Sequence, residues 1–429
     1  MQILFDFVTF GAGTYFAYYS YKKAFDKNFA TPSSYIQLLI YIFNCLPIIE
    51  NYIFGMPTFQ SDTWYQPLRQ AMMVEEVNII YDLYVFFAML LLHFLVVRKS
   101  RKIIYNSSSK KWFFDNKYFW ILLIASPILY IICTGNISNY LIYGTSEVRG
   151  LTGTEEGDFF NLTTFLLLSA FAFCVVFFRK KLKYSDIIIL AVYTFVIGWI
   201  CGKRYILAIL LVLYLFFFCN SENYTDSAEK KLKKVLPILG IVLLLFSMIY
   251  LIYFKGSDRY ELGGVKAIYD TIRVDFGRDC VIKFVIWKEF FLGEHILQYV
   301  GQSFISLILM FIPRSIWTNK PYQHFQYLTS SILGLPISDL PAGTTTSWFE
   351  MTLCNFSYFG FVFGIIGIVY FAYLVDKVHS TEMKSICLML IMALLTMAPN
   401  SCIGYIAILI ISLIFKLIFG KKRVIIRMN

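Results

Sequence analysis

Four short stretches of this chain hold side chains whose types and spacing could do chemistry. Cys201-Gly-Lys-Arg204 sets Lys203 and Arg204 in the short gap between two apolar runs. A guanidinium there either snorkels to lipid headgroups or offers a planar fork that suits a phosphate. Arg273-Val-Asp-Phe-Gly-Arg-Asp279 packs two arginines and two carboxylates together. On a helix Asp275 and Arg278 are i, i+3 neighbours, so they make a structural ion pair or hold one arginine towards a phosphate. Phe311-Ile-Pro-Arg-Ser-Ile-Trp-Thr-Asn-Lys-Pro321 closes an apolar stretch with two prolines around Arg314, Trp317 and Lys320. Proline fixes the chain as it leaves a membrane interface, and Trp317 is there either a belt anchor or a platform for a sugar face. Gly343-Thr-Thr-Thr-Ser-Trp-Phe-Glu350 is a hydroxyl-rich run ahead of a further apolar segment. Glu350 either caps the following helix or works on a sugar hydroxyl.

The candidate proton acceptors are His295, His324, Glu350 and the aspartates of the arginine-rich stretch. An imidazole, with an ordinary pKa of about 6.5, can deprotonate a hydroxyl near neutral pH; a lone loop histidine also serves simply as a solvated side chain. No paired carboxylates of the DxD kind stand near these residues, the nine cysteines show no CxxC or CxxH spacing, and no GxxxxGK[ST] run is present. No metal and no nucleotide cofactor is expected.

The elements that must position these groups are membrane helices. Of 429 residues 58% are hydrophobic and only 15% charged, and the mean hydropathy of +0.65 is too high for a water-soluble domain. The apolar segments are runs of about 20 residues and not ten-residue alternations, which predicts helices and not barrel strands. The fold class is all-α, a polytopic membrane protein. Eleven runs qualify: about 2–19, 35–54, 77–97, 118–135, 159–178, 186–201, 205–219, 235–254, 356–374, 385–398 and 403–419. Residues 1–254 then hold eight spans, 255–355 a large helical outer loop, and 356–429 three more spans and a tail.

Alternate loops carry the cations unequally. Those after the odd-numbered spans, with the C-terminal end, hold 25 Lys and Arg against 13 on the other side. The positive-inside rule therefore puts the N-terminus outside and the C-terminus in the cytoplasm. The net charge of +11 is then topology, and nucleic acid is not a partner. A loop of roughly a hundred residues is too long for a connector and should be an external subdomain. Apolar positions near helical spacing predict helix between Val265 and Phe291. Tyr299 to Ile312 is too short to span and should be re-entrant or interfacial.

Ile272-Arg-Val-Asp-Phe-Gly-Arg-Asp279 with Lys288-Glu289, Ile312-Pro-Arg-Ser-Ile-Trp-Thr-Asn-Lys-Pro321, and Gly343 to Glu350 leading into Asn355-Phe-Ser-Tyr-Phe-Gly360 resemble Wzy-type O-antigen and capsule repeat-unit polymerases. The resemblance covers the architecture of many spans with one dominant outer loop, and specific residues over about 270–375. It implies a glycosyltransferase of GT-C-like fold in the bacterial cytoplasmic membrane, joining undecaprenyl-pyrophosphate-linked oligosaccharides on the outer face without metal. A chain-length regulator and a flippase of the same pathway would be its partners. In that scheme Arg204, Arg273, Arg278, Arg314 and Lys320 hold pyrophosphate, Trp317 and Trp348 face sugars, and His324 or Glu350 takes the acceptor proton. A flippase or exporter of lipid-linked oligosaccharide is the alternative, but its charged path would rest on Asp6, Asp82 and His93 alone, near span ends or isolated. A ligase-like glycan transferase shares the outer site.

Overall fold

The computed structural model describes residues 1–26, 30–57, 62–100, 117–133, 162–201, 204–221, 223–236, 277–309, 316–340, 343–378 and 380–396, with isolated positions elsewhere that include Tyr269, Asp270, Arg273 and Tyr405. It is all-helical, without a strand among the described residues. Among the described residues, three helices are long and apolar enough to cross a membrane: α2 (Pro32–Phe54), α4 (Glu75–Val97) and α13 (Tyr358–Asp376). α1 (Gln2–Ala24) packs beside them, and α3 (Asp62–Met72) bridges α2 to α4. Shorter apolar helices follow as α5 (Lys117–Cys133), α6 (Leu162–Phe177), α7 (Tyr184–Cys201) and α8 (Arg204–Cys219). After them come α9 (Asp279–Ile286), α10 (Gln302–Ile308), α11 (His324–Leu333), α12 (Trp348–Phe356) and α14 (Thr381–Thr396).

Side-chain contacts fix the helix directions. α1 and α4 run parallel: the Gln2 amide donates to Glu75 at 3.1 Å, Thr9 to the Asp82 carbonyl at 3.4 Å and Lys23 to the Val97 carbonyl at 2.5 Å. α2 returns between them, from Ser20–Gln37 (2.8 Å) to Tyr52–Asp6 (2.5 Å). Asp376 at the end of α13 accepts from the amide and hydroxyl of Ser33 at 3.0 and 2.6 Å, so α13 finishes where α2 starts. α14 returns from Glu382, paired with Arg179 at 2.9 Å, to Thr396. One end of the bundle thus gathers Lys22, Lys23, Arg98, Lys99, Arg179 and Lys377, and the other carries Glu50, Glu75 and the arginine-rich stretch.

The helix expected between Val265 and Phe291 is present from Asp279 and is prolonged by a π-helical turn, Trp287–Phe291. Every residue of α9 is buried, against α3, α4 and α12. This part of the expected outer subdomain is therefore woven into the end of the bundle. The stretch expected to be re-entrant holds only the short α10, docked on α12 through Asn355, whose amide oxygen accepts from the Ser303 amide at 3.2 Å and whose Nδ2 donates to the Met351 carbonyl at 2.6 Å. The runs at 235–254 and 403–419 lie mostly outside the described residues.

α12 and α13 fold back on each other with backbone nearly touching backbone. A Cβ added at Gly360 would stand 2.4 Å from the Thr352 carbonyl oxygen and 2.6 Å from the Leu353 Cα, atoms that cannot move aside. Gly11, in α1, meets nothing within 4 Å. Gly360→Ala should lower the thermal midpoint in detergent and the yield of folded protein, since overpacking costs about 1–3 kcal/mol. Gly11→Ala should be neutral or slightly stabilising. Equal midpoints for Gly360→Ala and wild type would refute this packing.

Candidate functional site

The site begins with a proline inside a membrane-length helix. Pro47 has no N–H to offer the carbonyl of Phe43 four residues earlier, and α2 widens into a π-helical turn over Tyr41–Cys45. The released Phe43 carbonyl is taken by the backbone amide of Arg278 at 3.0 Å, and the Arg278 guanidinium lies 5.3 Å over the Phe43 ring. Nε and Nη2 of Arg278 donate to the carbonyl of Thr396, at 3.3 and 2.8 Å, and so tie the last turn of α14 into the same place. Arg278 is thereby a fixed, buried cation.

Asp279 opens α9 next to it, where a negative charge suits the helix N-terminus. Its carboxylate has no exposed surface, lies 2.6 Å from Arg273 Nη2 and is 3.6 Å from Lys283 Nζ. Burial alone would raise the Asp279 pKa, but Arg273 and then Lys283 outweigh it and hold the carboxyl below its usual range. Burial likewise disfavours a charged Arg273, yet Asp279 keeps it firmly protonated. Glu50 from α2 adds a second carboxylate 3.6 Å from Arg273 Nε, and Asn51 Oδ1 accepts from Nη2 at 3.4 Å. Gly277 is needed here: a Cβ would sit 2.1 Å from Arg273 Nη1. Two guanidinium nitrogens, Nε and Nη1, are buried with no hydrogen-bond partner among the described residues. Nε faces the Glu50 carboxylate at 3.6 Å, and Nη1 lies against Gly277 without an acceptor at hydrogen-bond distance among the described residues.

Glu350 stands nearby in α12, within electrostatic reach of Arg278. It is fully buried and closes a capping box: the amide and hydroxyl of Ser347 both donate to its carboxylate. Burial pushes its pKa up to about 7 against these hydrogen bonds. His324, at the start of α11, is buried with neither ring nitrogen hydrogen-bonded among the described residues, and burial lowers its pKa to about 4. It is neutral and weakly basic, not a solvated loop side chain. Lys320 is buried with Nζ on the Ile312 carbonyl at 2.9 Å, while Trp317 is half-buried.

Trp348 is placed otherwise than a sugar-facing residue needs. Its Nε1 donates to the Gly364 carbonyl at 2.9 Å and its ring is enclosed by Phe304, Phe371 and Gly367, so it packs α12 on α13. Asp6 and Asp82 are not isolated either. They face each other across parallel helices, Asp6 bound by Tyr52, and both buried oxygens of Asp82 without a hydrogen-bond partner among the described residues. Arg314, Arg149, Lys203 and Asp275 lie outside the described residues, as does the side chain of Arg204. The structure thus joins Arg273, Arg278 and Glu350 with Glu50 and Lys283, which the sequence reading had not singled out. Lys283 follows Asp279 at i+4, a spacing that could have flagged it. Comparison of the chain with protein-family models, with curated proteins and with solved structures returns no match in any of the three.

The two buried titrating groups predict a pH signature. Glu350, whose folded pKa is raised from 4.5, stabilises the fold below about pH 4.5 and loses that contribution as the pH climbs to about 7. His324, whose folded pKa is depressed from 6.5, stabilises above about pH 6.5 and loses its contribution as the pH falls to about 4. Each is worth on the order of 3 kcal/mol, and in the overlapping window they oppose each other. Glu350→Gln should make the thermal midpoint rise with pH between about 4 and 6.5; His324→Gln should make it fall between about 4.5 and 7. Slopes parallel to wild type in both variants would contradict the burial of these groups.

Proposed function

We propose that this protein polymerises lipid-pyrophosphate-linked oligosaccharide repeat units into a surface polysaccharide, on the outer face of the bacterial cytoplasmic membrane. In this reading the chain has eleven spans and a GT-C-like arrangement, the end carrying Lys22, Arg98 and Arg179 lies in the cytoplasm, and the arginine-rich end faces out. The observation that supports it most is the group of buried cations Arg273, Arg278 and Lys283 at the end opposite the juxtamembrane cations, with Nη1 of Arg273 lacking a hydrogen-bond partner among the described residues. Such a group suits a pyrophosphate, whose oxygens accept a guanidinium fork.

The growing glycan on one lipid pyrophosphate is transferred to a sugar hydroxyl of a second lipid-linked unit. The hydroxyl oxygen bonds to the anomeric carbon, the bond from that carbon to the pyrophosphate oxygen breaks, and the electron pair leaves with the lipid pyrophosphate. Fixed cations stabilise the charge that develops there, and because the protein holds them in place little reorganisation is needed. Arg204 and Arg314 complete the set from the sequence, with Lys320 as a further cation.

If these arginines bind pyrophosphate, Arg204→Ala, Arg273→Ala, Arg278→Ala and Arg314→Ala should each shorten the polysaccharide sharply, with a rate loss of about a hundredfold, or about 3 kcal/mol. Lysine should rescue poorly, because it keeps the charge and loses the fork. Lys203→Gln should be mild. Chain length is read on gels from cells with wild-type amounts of protein, since Arg273 and Arg278 also hold the fold together. Normal chains from three of the four alanine variants would end the pyrophosphate assignment.

A further inference from the structure

The acceptor hydroxyl needs a proton acceptor, and the two residues considered so far are poorly presented for it. Both oxygens of Glu350 are engaged by Ser347, and His324 has its ring nitrogens buried. A different pair is presented outward. α9 ends in the π-helical turn Trp287–Phe291, a form common at functional sites. It turns Glu289 inward, leaving its side chain 2% exposed. Oε1 of Glu289 accepts the Ile296 amide at 2.9 Å, and Oε2 lies 2.7 Å from Nδ1 of His295, whose side chain is 70% exposed. The turn between them is fixed by Gly293 at φ +68°, by the Glu294 amide on the Lys288 carbonyl at 3.0 Å, and by the Lys288–Glu294 ion pair.

A buried carboxylate that holds Nδ1 of an exposed imidazole places the ring proton on Nδ1. The Nε2 lone pair is then directed outward, and the carboxylate stabilises the imidazolium as it forms. The location fits a lipid-borne substrate. Phe290 packs on Tyr358 and Phe361 in the first turn of membrane-length α13 (4.7 and 5.4 Å between centroids), and Leu292, between the two dyad residues in the chain, and Val300, after them, are exposed. Asp279, which opens α9, and Glu289, in the π-helical turn that prolongs it, are ten residues apart, about 15 Å at the helical rise per residue.

We propose that His295 is the general base of the transfer and Glu289 its positioning residue, an inference that rests on the polymerase reading. Nε2 takes the proton of the acceptor hydroxyl as its oxygen bonds to the anomeric carbon; the pyrophosphate leaves with the electron pair of the broken bond, and the imidazolium returns its proton to water.

The test uses the full-length protein in lipid nanodiscs with purified lipid-linked repeat units. His295→Ala, a change at an exposed side chain, should keep the wild-type thermal midpoint, lower kcat about a hundredfold and leave KM within about twofold. Added imidazole should restore part of the rate to His295→Ala and none to Arg273→Ala. Glu289→Gln should lower kcat with KM little changed. His295→Ala within about threefold of wild type overturns the base assignment alone. So does a loss that imidazole leaves untouched and that appears in KM. A wild-type protein that extends no lipid-linked units overturns the polymerase reading and the base with it.

Discussion

A carboxylate buried without any exposed surface has to be matched by cations, and Asp279 sets most of what surrounds it. Arg273 at 2.6 Å and Lys283 at 3.6 Å neutralise it, and loss of either member would leave an uncompensated buried charge at a cost of about 3–5 kcal/mol. The same residue opens α9. Because α9 is buried against α3, α4 and α12 along its whole length, the ion pair fixes the helix axis, and through it the place where Glu289 and His295 emerge at the far end. The electrostatics of one end and the outward imidazole of the other are thus consequences of a single buried helix.

That helix is seated by two irregularities in its neighbours. Pro47 frees the Phe43 carbonyl that Arg278 occupies, so a break in one helix becomes the anchor of the next element. The glycines of α13 let α12 approach it at backbone distance, which puts Trp348 and Tyr84 against α13 and buries Glu350 in its cap. Charged groups survive in this setting because each is held by backbone carbonyls, hydroxyls or an opposite charge. Arg273 is held in the same way, by Asp279, Glu50 and Asn51, while its Nη1 has no hydrogen-bond partner among the described residues.

Much of this was legible in the sequence. Apolar runs gave the long helices, and the unequal loops anticipated which helix ends gather lysine and arginine. Ser347 followed three residues later by Glu350 is a capping-box pattern, and the cap formed. The remainder depends on pairings far apart in the chain. Nothing local to Phe43 says that its carbonyl meets Arg278, 235 residues later, and nothing around Asp6 says that it faces Asp82 across parallel helices. Trp348 is a sugar-facing residue by the family resemblance until the glycines of α13, on its other side, are seen to enclose it. His295 reads as a lone loop histidine because Glu289 reaches it only through a π-helical turn, which sequence periodicity does not announce.

In the proposed function, the end of the bundle that carries Arg273 and Arg278 faces out and holds the lipid pyrophosphate, and His295 accepts the hydroxyl proton. The most direct test of that account is deletion of the gene from its host chromosome, followed by gel analysis of the surface polysaccharide. The account predicts a single repeat unit where wild-type cells show a ladder of chain lengths, with the ladder restored by the wild-type gene. An unchanged ladder, or the complete absence of surface glycan that loss of a carrier would produce, would contradict it.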